Sequence, residues 1–99
     1  MSEKKILIPV DFTDAADKAV SYGISIAKKN NCGISLLHVF DDGGMAMDSC
    51  ESMLKEMADQ ISQENNIACD FLCEKGNIFT VIPEISSNGN FLMMVIATH

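Results

Sequence analysis

The side chains in this sequence with chemistry to offer are one aspartate, two histidines, four cysteines and a pair of methionines. Asp11 closes the apolar run Ile6-Leu7-Ile8-Pro9-Val10 and stands just before Phe12-Thr13-Asp14. A carboxylate at such a strand-to-helix corner faces the ligand side of an α/β sheet. It can equally shape the corner as an Asx turn or helix entry, and the residues alone leave both readings open. His38 lies within Leu36-Leu37-His38-Val39-Phe40, where a packed, hydrogen-bonded imidazole is expected rather than a catalytic base. His99 would come close to Asp11 if their two strands are neighbours, which makes a His-Asp pair conceivable.

Cys69 and Cys73 invite a metal or redox reading, but on a strand residues four apart are separated by about 13 Å, too far for one zinc or a disulfide. Together with Cys32 and Cys50 they are expected to be reduced, packed thiols. Met45 and Met47 could form a soft ligand pair or an apolar lid; more commonly such residues simply pack. No Ser-His-Asp, Cys-His or paired-carboxylate set stands out, so no enzymatic activity is expected.

The elements that must position these residues follow from the apolar pattern. Ile6 to Val10 is an unbroken apolar run, the mark of a strand covered on both faces. Thr13 is an expected N-cap with Asp14 in the first turn, and Ala16, Ala19, Val20, Gly23, Ile24 and Ala27 form one helical stripe. Its small residues allow close approach to a sheet, and Asn30-Asn31-Cys32-Gly33 supplies the stop. Ile34 to Phe40 is the second strand, and the crossover implies parallel pairing. After the acidic loop Asp41-Asp42-Gly43-Gly44-Met45, Asp48 or Ser49 is expected to cap a second helix. Its stripe is Cys50, Met53, Leu54, Met57 and Ile61, and it ends near Asn66.

From Ala68 to Lys75 polar and apolar residues alternate, which predicts an edge strand with a wetter face. Gly76-Asn77 opens a third helix over Ile78 to Ser87, short, kinked or late-starting because Pro83 lacks a backbone N–H. Phe91 to Ala97 is the most apolar strand, expected at the centre of the sheet. The order β-α-β-α-β-α-β predicts an α/β, doubly wound parallel sheet.

Composition bounds the partners. At 99 residues the chain is read as a single domain over 1–99. Fourteen acidic residues stand against seven lysines and no arginine, a net charge of −7 that repels a phosphate backbone, so no nucleic acid partner is expected. No apolar run approaches the ~20 residues of a membrane span, and the start of the chain does not resemble a signal peptide. No membrane association is expected, and the protein is read as cytoplasmic.

These residues carry a family likeness. Ile-Leu-Ile-Pro-Val-Asp-Phe-Thr at 6–13, the Ala/Gly-rich helix, Leu-Leu-His-Val-Phe at 36–40, Lys75-Gly76 and Val-Ile-Ala-Thr-His at 95–99 resemble universal stress proteins. The resemblance implies strand order 3-2-1-4-5, with a crevice between strands one and four. It implies an adenine-nucleotide-binding or nucleotide-sensing stress-response module without strong catalysis. The other reading is a dimeric stress-regulated interaction module that needs no nucleotide. By position, Pro9, Val10, Asp11, Val39, Ala97, Thr98 and His99 are the candidate nucleotide-binding residues. Asp11 would meet the nucleoside end, and Val39 would line the adenine pocket.

The phosphates in that family sit on a glycine-rich loop after strand four, and the 99 residues stop before it. The expectation is therefore order 3-2-1-4 without the usual fifth strand, a C-terminally incomplete domain, and weak or absent ATP binding, with Mg a possible companion of ATP. A homo-oligomer, a dimer, is expected to cover the Phe91 to Ala97 edge.

Overall fold

The computed structural model describes residues 4–41, 46–89 and 91–96. Four strands alternate with three helices: β1 (Lys5–Pro9), α1 (Asp14–Asn30), β2 (Gly33–Phe40), α2 (Met47–Asn65), β3 (Cys69–Lys75), α3 (Ile78–Asn88) and β4 (Phe91–Met94). The sheet is parallel throughout, in the order β3-β2-β1-β4. That is the expected doubly wound α/β arrangement.

The pleat sorts the strand residues into two layers. Ile6, Ile8, Val10, Ile34, Leu36 and Phe40 pack with Ala16, Ala19, Val20 and Ala27 of α1 and with Cys50, Leu54, Ala58 and Ile61 of α2. Burying each large aliphatic residue there contributes about 1.5–3 kcal/mol. Gly23 lets α1 approach closely, because a Cβ at that position would lie 2.4 Å from Ile8 Cδ1. Leu7 and Leu37 are also fully buried, but on the opposite face, which α3 covers. The chain runs β1-β2-β3 one way and then crosses back to β4, so right-handed crossovers put α3 on the face opposite α1 and α2.

The helix ends follow the sequence with one exception. Thr13 accepts from the Ala16 N–H at 3.4 Å, and Asn31 closes α1 in the left-handed conformation at φ 53°. Asn66 closes α2 in the same way, at φ 54°. The start of α2 differs from expectation: neither Asp48 nor Ser49 caps it, because the helix begins at Met47 with Ala46 as N-cap and no side-chain cap. Asp48 therefore sits inside the first turn, where its charge complements the helix dipole. Met53 is exposed at the rim of the apolar stripe, and Ala58 takes its place in the core.

The third helix runs through Pro83 over 11 residues rather than breaking. Asn77 starts it by accepting from the Phe79 N–H at 2.8 Å. Pro83 leaves the Phe79 carbonyl without its intrahelical donor.

The two outer strands behave differently. In β3, Cys69, Phe71 and Cys73 turn inward and Asp70, Leu72 and Glu74 outward, as the alternation implies. On that outer face Asp70 accepts from Lys5 and, at 2.5 Å, from the buried Ser35 hydroxyl, which ties β1, β2 and β3 together. Among the described residues β4 lies at the edge of the sheet, not its centre, with Leu92 and Met93 exposed. It is also shorter than the expected run to Ala97. Leu92 is an extra residue in its pairing with β1, since Lys5 registers with Phe91 and Ile6 with Met93.

Candidate functional site

The carboxyl ends of the strands are extended by three backbone hydrogen bonds. Val10 N–H donates to Leu37 O at 2.7 Å, Gly76 N–H to Phe40 O at 2.8 Å and Val95 N–H to Leu7 O at 2.9 Å. These bonds hold the corners after β1, β3 and β4 against their neighbours. A cleft of about 110 Å³ opens where they meet, with Pro9, Val10 and Asp11 on one side and Val39 on the other. A wider recess of about 470 Å³ adjoins it across Val39 and Ile78, bounded by Asp41, Asn77 and Phe79.

Four of the expected site residues, Pro9, Val10, Asp11 and Val39, therefore share one cleft. Ala97, Thr98 and His99 lie outside the described residues, as does Met45. The sequence reading missed the apolar floor, which Leu37 and Val39 of β2 form with Ile78 and Ile82 of α3 and with Ile96 after β4. One signal for it was present. Ile78 and Ile82 are four apart, so they share a helix face, and that helix follows the strand next to β2.

Asp11 performs the corner role anticipated for it. Its Oδ1 accepts from the Thr13 N–H at 3.1 Å and from the Thr13 hydroxyl at 2.5 Å, forming an Asx turn that also orients the N-cap of α1. The same residue lines the cleft, so the two readings coincide in position. Between Asp11 and Thr13, Phe12 adopts φ 62°, a left-handed conformation that non-glycine residues seldom take. Its ring packs on His38 with centroids 4.7 Å apart. His38 Nδ1 lies 2.7 Å from Val10 O. A carbonyl only accepts, so Nδ1 carries the proton in this contact. This is the packed, bonded histidine the sequence suggested.

Gly76 shapes the wider recess. Its φ of 149° belongs to a region that only glycine populates freely, and it carries the chain from β3 into the cap of α3.

The cysteines sit away from the cleft. Burial pushes the Cys69 thiol up to about 12, with Asp70 adding to the effect, and burial pushes Cys73 up to about 12, reinforced by a hydrogen bond with Cys50 of α2. Cys32 is raised by burial as well. The approach of Cys50 to Cys73 was overlooked in the sequence, although one lies on the inner stripe of α2 and the other on the inner face of β3. Among the described residues no group of three or more His, Cys, Asp or Glu side chains is arranged to hold a metal ion.

A model of the universal stress protein family matches residues 3–99. The chain belongs to the universal stress protein family. Its fold resembles that of universal stress protein UspA from Lactobacillus plantarum, with TM-score 0.75, 16% identity, and coverage of 97% of this chain and 77% of that one. A universal stress protein from Archaeoglobus fulgidus superposes with TM-score 0.69 at 25% identity, covering 85% of this chain and 29% of the other. A further universal stress protein, solved in complex with cAMP, superposes with TM-score 0.65 at 12% identity, covering 88% of this chain and 71% of that one. No curated protein matches the chain. Among the described residues no helix of this family member is long and apolar enough to cross a membrane.

Proposed function

We propose that this universal stress protein domain is a cytoplasmic adenine-nucleotide-sensing module with little turnover of its own, and that the cleft at Asp11 and Val39 receives the nucleoside end of the ligand. One observation carries the proposal: a carboxylate and an apolar floor meet in one cleft at the carboxyl edge of a doubly wound sheet, where such folds bind ligands. Asp11 would accept hydrogen bonds from ribose hydroxyls while Val39, Ile78 and Ile82 face the base. The complex of a structural relative with cAMP is consistent with an adenine ligand. If His99 reaches the same edge, Ala97 to His99 would complete the ribose side. ATP, with Mg as its companion, is the ligand this chain should hold weakly.

Isothermal calorimetry with adenosine tests the reading. Binding to the chain that is lost in Val39→Trp, which fills the cleft, supports it; equal binding by the variant refutes it.

A second reading, a nucleotide-independent interaction module, draws on exposed apolar side chains. Phe79 is 86% exposed, and Leu92, Met93 and Ile96 are open to solvent along β4 and just beyond it. Among the described residues no strand pairs with the outer edge of β4; such an apolar edge invites another chain, and a homodimer through β4 would cover it. Leu92→Lys with Met93→Lys should then convert a dimer to a monomer in sedimentation, and a monomeric parent chain would contradict the dimer.

A further inference from the structure

We infer that Phe79, in the first turn of α3, is a contact residue for the base: the nucleoside runs out of the cleft into the wider recess, and its base stacks on this ring. The inference rests on the nucleoside reading above and specifies how that site holds its ligand. The division of the cavity and the exposure of one aromatic side chain carry it.

The cleft at Asp11 encloses about 110 Å³ and the adjoining recess about 470 Å³. Pockets that hold small molecules run from about 300 to 1,000 Å³, so the cleft alone falls short of a whole nucleoside and the recess does not. Two elements line both spaces in sequence. On β2, Leu37 and His38 border the cleft and Val39 borders cleft and recess together; on α3, Ile82 borders the cleft, Ile78 both, and Phe79 the recess alone. A ligand whose ribose meets Asp11 therefore reaches Phe79 by crossing Val39 and Ile78, the residues already set against the base.

The ring is open to receive it. Phe79 is 86% exposed, whereas Phe12, Phe40, Phe71 and Phe91 are buried or half-buried in the fold. The backbone beneath it is fixed on both sides: Gly76 turns the chain out of β3 at φ 149°, and the Asn77 side chain accepts the Phe79 N–H at 2.8 Å. A planar base gains from such a ring through its π-face, whatever hydrogen bonds its edges make. An aliphatic side chain at the same place offers no such face.

The test is calorimetry with adenosine on the full chain and on two variants at this exposed position. Phe79→Ala should bind adenosine roughly five- to a hundredfold more weakly than the parent, the range spanned by stacking on an aromatic side chain. Phe79→Trp keeps a planar ring and should retain the affinity. The parent has no tryptophan, so adenosine should also quench this single indole, saturating at the calorimetric midpoint. Equal adenosine affinity in Phe79→Ala would overturn the contact while leaving the nucleoside cleft intact. Indole emission that changes with protein concentration and not with adenosine would assign the ring to a second copy of the chain and overturn it as well. Failure of the parent to bind adenosine would overturn the nucleoside reading and this contact with it.

Discussion

The Nδ1 of His38, on β2, lies 2.7 Å from the backbone carbonyl of Val10, on the corner that follows β1. The contact joins the two strand ends that carry the cleft, and the imidazole is held from the other side by Phe12. Val10 itself is buried. Its carbonyl would lose this donor if the ring nitrogen were removed, and leaving a buried acceptor unmet costs about 1–3 kcal/mol. His38→Phe keeps an aromatic ring and should lower the stability by that amount in urea unfolding. An unchanged midpoint would show that the bond adds nothing.

Phe12 combines a left-handed backbone with a packed ring, and two variants separate these contributions. Phe12→Ala loses the ring and keeps the strained φ of 62°. Phe12→Gly loses the same ring but relaxes the backbone, so it should be more stable than the alanine variant by about 1 kcal/mol. That ordering is the reverse of the usual one within regular elements. Thermal unfolding of the pair decides it, and alanine the more stable of the two would argue against the left-handed corner.

The inner face of β3 sets a pH dependence. Cys69 and Cys73 are each pushed up to about 12 by burial, above the ordinary thiol value of 9.0. Between those values the unfolded chain releases thiol protons that the folded chain keeps, so alkali favours unfolding. This contribution to stability is complete below about pH 9 and is lost as pH rises through the folded values near 12. Unfolding free energy measured from pH 8 to 11 should fall more steeply for the parent chain than for Cys69→Ala with Cys73→Ala. Equal slopes would contradict the account.

Much of this fold was legible because the strongest signals were local. The apolar run ending at Asp11, the small-residue stripe of α1 and the alternation in β3 each encode which faces are covered, and each reappears in the structure. Thr13 and Asn31 were readable as caps because their side chains and backbone preferences act within one turn. The order 3-2-1-4 put β4 beside β1 as observed, whereas the apolarity of Phe91 to Met94 by itself suggested a central strand; neighbours, not composition, decide whether a strand is interior. Of the residues that the family resemblance implied, Pro9, Val10, Asp11 and Val39 line one cleft, because each lies at the carboxyl end of its strand. Ile78, Ile82 and Ile96 were missed because their convergence depends on α3 crossing the far face of the sheet, a relationship between segments distant in sequence. The left-handed Phe12 had no signal at all, since aromatic residues rarely take that conformation.

The central claim is that the corner at Asp11 and the end of β2 form a nucleoside cleft, and NMR mapping of adenosine on the ¹⁵N-labelled chain tests it most directly. The expected result is a saturable set of amide shifts centred on Val10, Asp11, Val39 and Ile78, with the inner face of β3 around Cys69 unmoved. Shifts centred elsewhere, or no saturable shifts at millimolar adenosine, would contradict it.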